Sequence, residues 1–171
     1  MESSRAPTLV TPRLTLRGFR ADDLDALAPI YADVAVTRYL RSGVRDRAQT
    51  AAALDAYIAE WRDHGYGIWA VVAQGDHALL GMCGFVGKAE LGYIFARAAW
   101  GRGIATEAAR ACLQYGFERL GWGAIGAGAL RENTASLRIL EKLGMRREPN
   151  EYFDANGGAW FQLTRDMFAQ G

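Results

Sequence analysis

Trp100-Gly101-Arg102-Gly103-Ile104-Ala105-Thr106-Glu107 is a glycine-punctuated loop that runs directly into a helix. Two glycines in three residues permit backbone angles that a side chain forbids, and they let a ligand approach the main chain. From Ile104 onward Ile104, Ala108, Cys112 and Tyr115 recur at helical spacing, with Glu107, Arg110, Gln114 and Glu118 as the polar stripe. The first amides of such a helix have no internal acceptor and carry its positive dipole end, so the junction suits an anion. Arg102 adds a guanidinium beside it. The preceding Glu90-Leu91-Gly92-Tyr93-Ile94-Phe95-Ala96 reads as a strand, which completes a strand, glycine loop and helix unit. An ordinary helix-entry turn would use the same glycines, so this segment alone leaves both readings open.

Two other phosphate motifs are excluded. No G-x-x-x-x-G-K-[ST] occurs, and the literal G-x-G-x-x-G at Gly121–Gly126 follows a helix and enters a strand, the reverse of a dinucleotide fingerprint.

Outward from this unit, the 171 residues suit one compact domain, 1–171, with half the residues hydrophobic and a net charge of +1. That balance argues against disorder and against electrostatic binding of nucleic acid. No apolar run reaches membrane-spanning length, and residues 1–12 lack the apolar segment of a signal peptide, so a soluble cytoplasmic protein with no membrane partner is expected. Cys83 and Cys112 are too few and too far apart for a disulfide framework or a zinc site, and read as buried small thiols. His64 and His77 lie in turns near glycines, and no metal is expected.

Residues 13–20 alternate as a first strand, and Asp22 and Asp23 open a helix that Pro29 should kink or split. Asp46 and Gln49 form a capping pair for a helix closed by Gly65. Residues 66–73 and 78–86 make a hairpin. After the anion loop and its helix, residues 122–130 form a strand, and Asn133 caps a helix ended by Gly144. Residues 145–153 and 160–167 are expected to close as a final hairpin across Asn156-Gly157-Gly158. The predicted order is β-α-α-β-β-β-α-β-α-β-β, a mixed α/β domain. Gly123, Gly126 and Gly128 leave the strand at 122–130 with little side-chain volume. Either the missing side chains widen a cleft, or an aromatic such as Trp122 or Trp160 fills the space.

Together, E-L-G-Y at Glu90–Tyr93, W-G-R-G-I-A-T-E-A from Trp100, and E-N-T-A-S-x-x-x-L-E-K-L-G from Glu132 resemble the GCN5-related N-acetyltransferase (GNAT) superfamily, and its RimJ/RimL-like branch in particular. The close match spans Glu90 to Arg147. The resemblance implies a GNAT fold with a splayed central cleft and an acyltransferase that uses acetyl-CoA. The acceptor would be a primary amine, either a peptide N-terminus or a small molecule. It leaves homodimer formation open. The pyrophosphate would rest on the amides of Gly101, Arg102, Gly103, Ile104, Ala105 and Thr106, with the pantetheine along Ile94, Phe95 and Ala96. Asn133 would hold the pantetheine arm, and Ser136 would face the thiol. Glu90 matches a family base, and a backbone N–H near Phe95 or Ala96 would serve the oxyanion. Trp100 stands where the superfamily signature opens with Gln or Arg, and Leu140 stands where many members carry an acidic Tyr. Ser136, Tyr93 or solvent would then protonate the thiolate. The missing Tyr keeps a second reading open, a non-catalytic acyl-CoA-binding or regulatory domain on this fold. Arg38, Arg41, Arg45 and Arg47 cluster near the expected substrate entrance, as an acidic-acceptor site or as a solvated loop.

Overall fold

A computed structural model describes residues 6–171. Eight strands form one sheet in the order β1-β2-β3-β4-β5-β6-β8-β7. They are β1 (Leu9–Val10), β2 (Leu14–Arg17), β3 (Ile68–Ala73), β4 (Leu79–Gly87), β5 (Glu90–Phe95), β6 (Ala124–Leu130), β7 (Arg146–Glu148) and β8 (Gly158–Thr164). Every neighbouring pair is antiparallel except β5 and β6. That parallel pair is joined at a single register point, Glu90 opposite Gly126, with the Gly126 N–H donating to Ala89 at 2.9 Å. Beyond it the two strands diverge, and the sheet opens into a cleft.

Side chains alternate along a strand, so each face of β5 has its own core. Leu91 and Phe95 pack with Ile104, Ala108, Cys112 and Leu113 of helix α4 (Ile104–Glu118). Ile94 faces the other way, towards Leu27 and Tyr31 of α1 (Leu24–Ala32) and Leu54 of α3 (Arg47–His64). Each fully buried large apolar side chain contributes about 1.5–3 kcal/mol. Cys83 and Cys112 are both buried where β4 meets α4, with their sulfurs 3.6 Å apart.

The helix entries follow the sequence signals. Asp46 accepts from the Gln49 N–H at 2.8 Å, and Gln49 returns a 2.9 Å acceptor to the Asp46 N–H. Gly65 closes α3 at φ +72°. The break near Pro29 falls later than its ring suggests. Helix α1 runs through Pro29 to Ala32, and Asp33 then caps the short α2 (Val34–Thr37) by accepting from the Ala35 N–H. A carboxylate able to start a new helix decides where the first one stops.

The expected final hairpin is corrected in its first arm. Strand β7 ends at Glu148, before Pro149, and Asn150 caps a helix, α6 (Glu151–Ala155), in place of continued strand. Proline has no N–H to offer the ladder, and asparagine competes for helical amides. The next helix is α5 in chain order (Thr134–Lys142), which precedes β7, and a short α7 (Arg165–Ala169) follows β8.

The glycines of β6 do not widen the cleft. A β-carbon at Gly126 would lie 1.9 Å from Cζ2 of Trp160, and one at Gly128 would lie 2.0 Å from Cε1 of Phe153. Two aromatic rings occupy the space, so the second of the two expectations holds, with Phe153 as an unforeseen partner. Gly123 has nothing within 4 Å. Gly126→Ala should therefore destabilise the chain by about 1–3 kcal/mol through overpacking. Gly123→Ala should be nearly neutral. Urea denaturation of both variants checks this, and equal midpoints would contradict the packing described.

Candidate active site

The cleft at the parting of β5 and β6 has a volume of about 1200 Å³. Gly101, Gly103, Ile104, Ala105 and Thr106 line one end, and Glu90, Ile94, Phe95, Asn133 and Ser136 line the middle. Arg102 and Ala96 do not line it. The Arg102 guanidinium turns back towards the Ala98 carbonyl at 3.4 Å. The Ala96 N–H donates to Leu80 at 2.9 Å, across to β4. Successive amides point to opposite strand edges, so the Phe95 N–H faces the open side, and of the two expected oxyanion donors it is the one left available.

The glycine loop has the geometry its sequence demands. Gly101 and Gly103 adopt φ +68° and +75°, where a β-carbon is strained. The first bond of α4 joins the Glu107 N–H to the Gly103 carbonyl at 3.0 Å, so the amides of Ile104, Ala105 and Thr106 lie outside the helical ladder. Two fasteners of this loop were not read from the sequence. The indole of Trp100 donates to the Phe95 carbonyl at 2.8 Å, tying the loop to the end of β5. Arg13 donates through Nε to Glu107 at 2.6 Å and through Nη1 to the Arg102 carbonyl at 2.7 Å. Thr11 Oγ1 donates to the same carboxylate at 2.6 Å. Desolvation opposes ionisation of Glu107, but Thr11 and Arg13 outweigh it and hold its carboxyl below the usual range. Residues so distant in sequence carry no local motif that could reveal the contact.

Asn133 caps α5, accepting from the Ser136 N–H at 3.2 Å. That bond uses Oδ1 and leaves the amide NH₂ for the cleft. Ser136 Oγ shares a 2.8 Å hydrogen bond with the hydroxyl of Tyr93. Burial is the main reason the Tyr93 phenol is pushed up to about 12, so it stays protonated at neutral pH. Leu140, at 1% exposure, is core. Glu90 stands on the opposite face of β5 from Tyr93. It is half-buried, and no donor among the described residues is hydrogen-bonded to its carboxylate. Burial alone holds its carboxyl above the ordinary 4.5. The parting thus has an unpaired carboxylate on one face and a hydroxyl pair on the other.

The four clustered arginines disperse. Arg38 lies over Tyr39 at 5.3 Å, Arg45 over Tyr31 at 4.5 Å, and Arg47 pairs with Asp25 at 2.5 Å. Of the four, Arg41 alone lines the cleft, over Tyr152 at 5.2 Å. Among the described residues no three His, Cys, Asp or Glu side chains group as metal ligands, and no helix is long and apolar enough to cross a membrane.

Comparison with known proteins identifies the family that this parted mixed sheet and its glycine-initiated helix belong to. The family model for the acetyltransferase (GNAT) domain matches residues 13–146, so the chain belongs to the GNAT acetyltransferase family and is an acyltransferase. An uncharacterized N-acetyltransferase, p20 of Bacillus licheniformis, is 34% identical over 154 residues, covering 82% of this chain and 83% of its own. The crystal structure of a GNAT-family acetyltransferase from Bacillus anthracis aligns with a TM-score of 0.82 at 27% identity, covering 94% of this chain and 99% of that one. RimL, a ribosomal α-N-protein acetyltransferase solved in complex with coenzyme A, shares the fold at a TM-score of 0.79 and 18% identity, covering 94% and 99%.

Gly103→Val should strain the loop by about 1–2 kcal/mol and press on Arg13, whose Nη2 would lie 3.4 Å from the new β-carbon. Calorimetry with coenzyme A should show binding lost in that variant. Arg13→Ala, which removes a half-exposed pair, should weaken binding roughly fivefold. Wild-type affinity in the valine variant would contradict an anion site on this loop.

Proposed function

We propose that the chain moves the acetyl group of acetyl-CoA onto a primary amine within one domain, 1–171, in the manner of the RimJ/RimL-like branch. The observation that carries this reading is the parting of β5 and β6 after Glu90 and Gly126, with its carboxylate on one face and its hydroxyl pair on the other. The free amides at the start of α4 fit a pyrophosphate. RimL, of the same fold, was solved with coenzyme A, which supports the cosubstrate. The acceptor is a peptide N-terminus or a small amine.

Acetyl-CoA supplies an activated acyl carbon, and the chain's residues supply proton transfer and orientation. An aliphatic amine with a pKa of roughly 8 to 10 is mostly charged at neutral pH and must lose a proton before it attacks. Glu90 takes that proton, directly or through a water. Its raised affinity for protons makes it a better base than an exposed carboxylate. As the nitrogen lone pair forms the C–N bond, charge moves to the acyl oxygen, where the Phe95 N–H donates to it. The C–S bond then breaks, the remaining excess proton on the nitrogen leaves through a water to solvent, and the thiolate takes a proton from Ser136, which Tyr93 replaces and solvent in turn restores to Tyr93. Leu140 contributes only packing.

Glu90→Gln should lower turnover by roughly 10²–10⁴-fold and leave acetyl-CoA affinity nearly intact. The acid limb of kcat/KM, which should lie above pH 4.5 in the wild type because burial raises this carboxyl, should disappear in the variant. The stability effect has the opposite sign. A carboxyl raised in the fold binds more protons folded than unfolded, so its contribution declines as pH rises through that window. The glutamine variant should thus be at least as stable as wild type at pH 7. Normal turnover across pH 6 to 9 would remove Glu90 from the mechanism.

A further inference from the structure

The acceptor end of the cleft is built on the same sheet face as Glu90. Glu90 and Gly126 are register partners, and Gly126 and Gly128 share a face of β6. The ring of Phe153, from α6, presses against two strands there. A β-carbon at Gly128 would lie 2.0 Å from its Cε1 and 2.1 Å from its Cζ, and one at Gly158 would lie 2.9 Å from its Cδ1. Yet Phe153 is not core: it is partly exposed and lines the cleft. Behind it, Trp160 sits over Gly126, the two ring centroids 5.1 Å apart.

Accepting the acetyltransferase reading above, we propose that Phe153 is the specificity-determining residue of the acceptor end, limiting it to slim primary amines with apolar stems. The ring takes up the volume that absent side chains at Gly128 and Gly158 would otherwise leave open in the cleft that Glu90 also lines. It is also held in place. Asn150 accepts from the Phe153 N–H at 3.2 Å. Asp154 accepts from the Asn150 N–H at 3.1 Å and pairs with Arg131 at 2.8 Å and Arg147 at 3.6 Å. Asn156 donates to the Tyr152 carbonyl at 2.7 Å, so a helix of five residues is anchored at both ends. Tyr152 continues the aromatic wall edge-on to Phe153 at 5.4 Å, and Val86 lines the cleft at 50% exposure. An ammonium would meet one unpaired carboxylate, and its stem would meet rings and a valine.

The test is an NMR titration of the coenzyme A-loaded chain with n-butylamine and with tryptamine, in wild type, Phe153→Ala and Phe153→Leu. Thiol release from acetyl-CoA with the same amines is measured in parallel, and coenzyme A affinity reports the fold. Removing the ring should tighten tryptamine at least about tenfold and give n-butylamine no gain, since its stem loses a ring contact, with leucine intermediate. Should the alanine variant fail to hold coenzyme A, the leucine variant decides alone. Equal shifts for both amines, no shift, or no amine binding in any variant would overturn the assignment. A size-dependent shift without thiol release would keep the Phe153 assignment and reject the acetyl-transfer reading. Thiol release without a size-dependent shift would do the reverse.

Discussion

The backbone pairing between β5 and β6 is the constraint on which the site depends. Parallel strands form a continuous ladder when nothing prevents it, and here the ladder stops after Glu90 and Gly126. Beyond that point alternate residues of β5 keep their bonds to β4, and those between them turn their amides into the gap. The Ala96 amide is committed to β4, whereas the Phe95 amide faces the opening. A ligand with amides of its own can replace the missing strand, as an edge strand invites. The two faces of the opened sheet are then reached separately, one from α1 to α3 and the other from α4 and α5. The proposed transfer, which brings an amine and a thioester together from opposite sides, uses this division.

Around the parting, conformational freedom is removed by one contact distant in sequence and one close by. Arg13, on the turn before β2, fixes both the anion loop and the first turn of α4, and Trp100 fixes the loop to β5. Glu107 would otherwise place a negative charge at the start of the helix proposed to receive an anion. Its pairing with Arg13 and Thr11 offsets that charge locally. Glu90 is the reverse case, a carboxylate kept half-buried without a partner among the described residues. Such a group costs stability, and functional sites are where that cost is retained.

Much of this was legible in the sequence because local rules governed it. The capping pair at Asp46 and Gln49, the left-handed glycines of the loop and the Asn133 cap are short-range chemistry, and each formed as its residues dictate. Hydrophobic period placed α4 and the central strands to within a residue or two. What escaped was tertiary. The glycines of β6 read either as an open cleft or as seats for an indole such as Trp160, and nothing in a strand pattern decides between them or says that Phe153 joins the indole. The short α6 was hidden in a stretch read as strand, although Pro149-Asn150 marks its start. The arginines between the first helices looked like one patch, but each found a different ring or carboxylate. Arg102 looked like a phosphate ligand from its position, yet its side chain turns back along the loop.

The central claim is that the opened edge of β5 and the free amides at the start of α4 together receive the cosubstrate. Amide hydrogen exchange with and without acetyl-CoA tests it most directly. Protection should rise at Tyr93 and Phe95 and at Ile104, Ala105 and Thr106, with β2 and β3 unchanged. Protection confined to other segments, or none at saturating acetyl-CoA, would contradict it.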